Sequence, residues 1–482
     1  MDYEITELGR VSDFMTLVRG AGGHRLPAVL DTGMIVPGLG QTSFVTCEPF
    51  MVVSARGRHC TLTDGASETT VDSDPFELLR EAMGRFCARP FPDESAFPCG
   101  AIGYFGYGLR HHLERLPQRA VDDMTGGGLP DMHFALYDAM LAADVATGCV
   151  RLVQYHPETD RRPPGFASAA PALQATFRRA VEAGAQDRPT CRTRKSTRRL
   201  DTGALGAPQL QANFEHIDYV RAVKRAIEYI YAGDIFQVNL SQRFSLPWKE
   251  DPIELYERLR LLSPAPFSCF LGLGQGRGVI SSSPERFLKI RGMNCETRPI
   301  KGTRRRGATE AEDAELRREL WDSEKDNAEL AMIVDLERND LGKVCEFGSV
   351  RVVEARRVET YANVHHLVST VVGTLEDDKG PIDAVKAMFP GGSITGAPKI
   401  RAMEIIDELE PSVRGVYTGA IGYLGFDGSV DLNVAIRIIQ MAGDTVHYHV
   451  GGGIVADSDP ESEYEETIVK GQALAQAIAA EK

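Results

Sequence analysis

Apolar positions along the chain repeat with two different periods, and the places where the period changes mark the elements. Residues 50–54 (FMVVS) and 150–155 (VRLVQY) are short β-rich runs bounded by glycine and proline, which predicts strands. In 75–87 and 170–183 apolar residues recur at three- and four-residue spacing, which predicts helices. From about Phe214 helical and strand patterns follow one another in irregular order, with no visible repeat of ~20–50 residues. That texture favours α+β over a regular βαβ array. Periodicity is lost in DRPTCRTRKSTRRLDTGALGAPQ, which predicts a linker or surface loop over 187–212 between regions 1–186 and 213–482. Arg192, Arg194, Lys195, Arg198 and Arg199 in this stretch have no stacking aromatics between them, so they read as solvated charge.

Composition narrows the class. The chain has 482 residues, 43% hydrophobic and 25% charged, as expected of a globular protein of two to four domains. A net charge of −14 argues against a nucleic-acid partner, which would need a basic face, but leaves room for a locally basic pocket and an anionic substrate. No run approaches the ~18 apolar residues of a membrane span, so no membrane partner is expected. The N-terminal MDYEITELGR lacks the features of a signal peptide, and the nine cysteines include no C-x-x-C. Reduced thiols and a cytoplasmic location are the expectation.

Several segments carry candidate chemistry. Asp326 and Glu329 lie three apart in one helical segment, and Glu463 and Glu466 repeat that spacing in another, with Lys470 a turn later. Converging faces of this kind suit Mg²⁺, which takes hard oxygen ligands; separately, each is an ordinary solvated helix face. FPGGSITGAPKIRAM fails the G-x-x-x-x-G-K-S/T test and describes either a helix N-terminus after Pro398 that suits an anion or a tight turn. Gly451, Gly452 and Gly453 lie between an apolar strand and the second acidic helix, as a tight turn or an anion-binding backbone. Arg437, in the strand pattern NVAIRIIQM, is either snorkelling or a carboxylate clamp. Lys301 is either a surface lysine or a desolvated nucleophile, and His366 a core histidine or an acid/base.

Taken in order, SSSPERFL, TRPIKGT, AELAMIVDLERNDLG, VHHLVSTVVG, FPGGSITGAPKIRAMEIIDELEP, YTGAIGY and GGGIVADSDPESEYEET resemble the chorismate-utilising enzymes. The match is dense over 214–482 and looser before it, for example in GAIGYFGYGL. The resemblance implies an α+β fold of two large packed antiparallel sheets surrounded by helices, with chorismate as substrate. It implies Mg²⁺ on Glu329 and Glu466, with Asp326 and Glu463 behind them through water. Tyr417, Arg437, Gly451–Gly453 and Lys470 match positions that hold the substrate's carboxylates, and His366 and Ser393 match positions close to its ring. Threonine is frequent in the family at the position of Ser393. Gln237 stands where the isochorismate-forming relatives have a water-activating lysine, which makes ammonia the expected incoming group. Lys301 stands where anthranilate synthases have alanine, and there the chain is similar to aminodeoxychorismate synthases. This implies a covalent role for Lys301, with Glu285 assisting departure of the C4 hydroxyl. No cysteine sits in a nucleophile-elbow turn, so ammonia is expected from a separate glutaminase subunit. The stretch LDTGMIVPGLGQTSFVTCEPF departs from the pattern of relatives that bind tryptophan, with Gln41 where an arginine or other polar anchor is expected.

Overall fold

A computed structural model describes residues 2–479 except 37–38, 66, 92–96, 98, 123, 125–127, 159–160, 164, 187–209 and 362–363. Most of the 187–212 stretch, with its basic cluster, therefore lies outside the described residues. The short runs at 50–54 and 150–155 fall in the strands Met51–Arg56 and Cys149–Tyr155. The helical patterns become Pro75–Gly84 and Ala170–Gln186. Asp74 caps the first of these by accepting from the backbone N–H groups of Phe76 and Glu77, with Pro75 fitting the first turn.

Two large antiparallel sheets form the body, and both draw strands from either side of 187–209. In the first, Tyr3–Arg10, Cys149–Tyr155, Ala139–Asp144, Thr42–Thr46 and Ala28–Asp31 lead to Phe267–Gly274. Arg277–Ser283, Ile438–Ala442, Thr445–Ile454, Gln237–Pro247 and Gln211–Ala212 complete that path. The second sheet joins Gly100–Phe105 to Ala420–Gly425 in unbroken register, from Ala420 opposite Phe105 to Gly425 opposite Gly100. The strands Gly100–Phe105 and Met132–Tyr137 are buried at every position because both faces are covered. The edge strand Ser67–Asp72 is exposed throughout.

A large apolar core lies largely between the sheets, and a second packs helices Phe14–Gly22, Ala170–Gln186, Pro252–Leu262 and Pro460–Ala479 against the first sheet. Within this apolar frame sits a buried ion pair. Arg414 and Glu410 have side chains only 1% and 3% exposed, and the guanidinium meets the carboxylate in two bonds of 2.8 and 2.7 Å. Arg414 also donates to the carbonyls of Asn239 (2.6 Å) and Ile394 (3.2 Å), while Glu410 accepts from the Ser241 N–H and hydroxyl. Removing one member leaves a buried charge uncompensated. Arg414→Met is therefore expected to cost about 3–5 kcal/mol in urea unfolding. Arg338→Met, which removes an exposed pair with Asp335, should cost less than about 1 kcal/mol.

Candidate active site

The strand Gln237–Pro247 brings Gln237 and Asn239 to the inner end of the first sheet, where Asn239 pairs with Gly453 of Thr445–Ile454. The three glycines thus lie inside that strand, paired with Asn239, Leu240 and Ser241, and not in a turn before the acidic helix. Bare backbone is needed there. A Cβ on Gly453 would sit 2.6 Å from Gln237 Nε2 and 3.3 Å from Lys301 Nζ. Arg437 is also placed differently from its strand pattern. It lies between Val430–Val434 of the second sheet and Ile438–Ala442 of the first, with φ +53°, where the chain crosses from one sheet to the other. The left-handed turn breaks the apolar run and leaves the guanidinium without a hydrogen bond or ion pair among the described residues.

These elements enclose a cavity of about 190 Å³ whose walls include Glu285, Lys301, His366, Ser393, Tyr417 and Arg437. Gly451, Gly453 and Lys470 border it too. Lys301, in the strand Ile300–Arg305, is a cavity residue only 13% exposed at its side chain, and burial lowers its pKa. In the same cavity lining Glu285 is buried, its pKa pushed up to about 7 by desolvation, with Ser393, the Ile300 N–H and Lys301 acting the other way. The Ile300 N–H donates to Glu285 Oε1 at 3.3 Å. Burial, reinforced by the positive Arg437, takes His366 down to about 3, so its ring is neutral over the physiological range. Its Nδ1 is hydrogen-bonded to Thr303 Oγ1 at 2.9 Å, and its buried Nε2 has no partner among the described residues. Gln237 is fully buried, with neither amide atom hydrogen-bonded among those residues.

Asn239, Thr303 and His449 also line the cavity, and sequence reasoning did not single them out. A period-two reading would have reached two of them. Asn239 follows Gln237 by two positions on one strand, and His449 precedes Gly451 by two on the next. His449 stacks on Tyr417 with ring centroids 5.1 Å apart.

The four acids lie on helices Glu324–Leu341 and Pro460–Ala479, as the spacing predicts. Glu329 Oε2 lies 4.0 Å from Lys301 Nζ, and Glu466 Oε1 lies 2.6 Å from Lys470 Nζ. Asp326 is engaged by Arg304 at 3.0 Å, and Glu463 accepts from the Ser458 hydroxyl at 2.6 Å. Among the described residues no three His, Cys, Asp or Glu side chains converge as a ligand set. The donor chemistry nevertheless fits a hard cation. A Cβ on Gly452 would lie 3.0 Å from Glu463 Oε2 and 3.7 Å from Glu466 Oε1, so the glycine leaves space beside two carboxylates. Lys325 and Lys470 place positive charge beside Glu329 and Glu466, charge that a divalent ion can supply in their stead.

A second cavity, bordered by Asp31, Thr42, Phe44, Ser268, Arg291 and Tyr423, is lined by none of these candidate residues. No described helix is long and apolar enough to cross a membrane.

Residues 43–476 match the model of the chorismate binding enzyme family. Anthranilate synthase component 1 of Streptomyces coelicolor is 42% identical over 406 residues, covering 84% of this chain and 77% of its own. Aminodeoxychorismate synthase component 1 of Salmonella typhimurium is 38% identical over 443 residues, covering 92% and 90%. The crystal structure of anthranilate synthase component I from Streptococcus pneumoniae superposes with a TM-score of 0.74 at 30% identity, covering 93% of both chains. The menaquinone-specific isochorismate synthase of Escherichia coli shares the fold, with a TM-score of 0.66 at 16% identity over 99% of this chain and 94% of its own. With its two packed antiparallel sheets and a family match spanning most of its length, the chain belongs to the chorismate binding enzymes.

Proposed function

We propose that the chain converts chorismate and ammonia to 4-amino-4-deoxychorismate, the reaction of aminodeoxychorismate synthases, which supplies 4-aminobenzoate for folate. The observation that carries this reading is Lys301, a buried amine in the cavity wall with a lowered pKa. A neutral amine there is a nucleophile, and alanine at that position would supply none. Formation of anthranilate is the second reading, favoured by relatives of that name at 35–43% identity over 79–90% of the chain.

Arg437 and Lys470, with the backbone of Gly451–Gly453, hold the substrate's two carboxylates, and Tyr417 borders the same wall. Lys301 Nζ bonds to C2 of the ring while the two ring double bonds shift and the C4–O bond breaks. Protonated Glu285 gives its proton to the departing hydroxyl, which leaves as water, and Ser393 orients that acid. Ammonia then bonds to C4 as the double bonds return and the C2–Nζ bond breaks. Lys301 leaves as an amine, and one proton from the incoming ammonia restores Glu285. Gln237, beside Lys301, has no proton-accepting base to offer water, while its free amide oxygen can accept from ammonia. His366, neutral, hydrogen-bonds near the ring through Nε2. Glu329 and Glu466 would hold Mg²⁺, with Asp326 and Glu463 behind them, and the ion would supply positive charge against a substrate carboxylate. The relatives' name "component 1" supports a partner subunit, which we assign as a glutaminase that delivers ammonia. A cytoplasmic location accords with this chemistry.

Lys301→Ala should lose para-aminated product by about 10²-fold or more with chorismate and ammonium. Chorismate without ammonia should leave an adduct on Lys301 visible by mass spectrometry, and full activity of the alanine variant would end the nucleophile role. Glu285 must be protonated to act, so kcat/KM should descend as pH rises through about 7. Glu285→Gln should lower the rate by about 10²–10⁴ and abolish that limb. Removing divalent ions with EDTA should stop chorismate consumption, and added Mg²⁺ should restore it. Persistence of activity in EDTA would remove the metal from this scheme.

A further inference from the structure

Behind the cavity, one acid is buried that the reaction above does not use. Glu337 lies on helix Glu324–Leu341, two turns beyond Glu329, and is only 3% exposed. Its Oε1 accepts the Gly392 N–H at 3.1 Å, and its Oε2 is buried with no hydrogen-bond partner among the described residues. Gly392 opens the short turn Gly392–Ile394, whose next residue is Ser393. The contact is close: a Cβ on Gly392 would lie 2.6 Å from Leu336 Cδ2 and 3.2 Å from Glu337 Oε1. Ser393 and Glu285 line the same cavity, and the Ser393 hydroxyl works against the rise in the acid's pKa.

We propose that Glu337 is a positioning residue for the reaction: its carboxyl group anchors the turn that carries Ser393 and acts through that hydroxyl and through charge on Glu285. The path runs from helix carboxyl to Gly392 N–H, along the backbone to Ser393, and so to the cavity wall that Ser393 shares with Glu285. Around Glu337 stand Asp340 on its own helix, Lys399 at the start of Lys399–Leu409, and Glu285 from across the turn. Lys399 is already held by Asp340, with Nζ 2.5 Å from its Oδ2, so Glu337 has no ion pair of its own among the described residues. Burial raises its pKa to about 7; Lys399 and the Gly392 N–H act against the rise, and Asp340 and Glu285 add to it. Two acids that feel one another do not both ionise freely, so a negative Glu337 keeps Glu285 protonated to higher pH. The anchored turn thus holds Ser393 at the cavity wall, and the charge on Glu337 adds to the burial that keeps Glu285 protonated.

The inference rests on the acid role given to Glu285, and it is tested by chorismate consumption with ammonium, a readout that is blind to which ring position is aminated. Glu337→Gln keeps an acceptor for the Gly392 N–H and removes the charge. Its descending pH limb is expected about half a unit lower than the parent's, with kcat below the limb within roughly threefold. Glu337→Leu removes the acceptor as well and is expected to lose about tenfold or more in kcat with KM within roughly threefold. A limb that does not move in folded Glu337→Gln overturns the proposal, and that result decides even where the leucine variant fails to fold. An ortho-aminated product would end the reading of the previous subsection and leave this one standing.

Discussion

One buried guanidinium holds the walls of the site together. Arg414 presents its fixed fork to Glu410, to the carbonyl of Asn239 and to the carbonyl of Ile394, with a further bond to the Thr418 hydroxyl. Through those bonds it ties the strand that carries Gln237 and Asn239 to the turn that carries Ser393 and the turn that carries Tyr417. Two charges taken out of water recover their solvation only when nearly every donor and acceptor finds a partner. That requirement holds the surrounding segments in one arrangement.

Burial then does the electrostatic work inside that frame. The same low dielectric moves Lys301 and Glu285 in opposite directions, each toward its neutral form. A neutral amine and a protonated carboxyl side by side are the two states that nucleophilic attack and hydroxyl departure require. The bulk charge of −14 says little about this space. Beside it Glu329 lies 4.0 Å from the Lys301 amine and from Lys325, Glu466 pairs with Lys470, and the Arg437 guanidinium in the wall has no ion pair among the described residues.

Much of this was legible residue by residue. The helices carrying Asp326, Glu329, Glu463 and Glu466 follow from periodicity, since spacing along one helix is a local property. The helix after Pro398 was legible as one of two readings of its segment. Arg437 and the Gly451–Gly453 run were not, because their placement depends on partners far away in the chain. The apolar run around Arg437 continues on both sides, and only the passage from one sheet to the other bends it to φ +53°. The glycines read either as a tight turn or as an anion-binding backbone, and they pair with Asn239–Ser241, more than 200 positions earlier. Asn239 and His449 were within reach of strand alternation from Gln237 and Gly451, whereas Thr303 has no local mark that distinguishes a cavity wall from a solvated face.

The sequence by itself determined the α+β class, the helices that present the acids, and the residue types that meet in the site. Each of these depends on local periodicity or on the chemistry of a side chain, and both are written in short stretches of chain. Tertiary structure alone decided that both sheets would take strands from either side of 187–209, and that Lys301 and Glu285 would share one buried wall. It also decided that Glu337 would lie behind Ser393. The physical reason is that burial and pairing are long-range. A lysine's tendency to lose its proton depends on how much water its neighbours exclude, and those neighbours come from strands and helices that only the folded chain brings together.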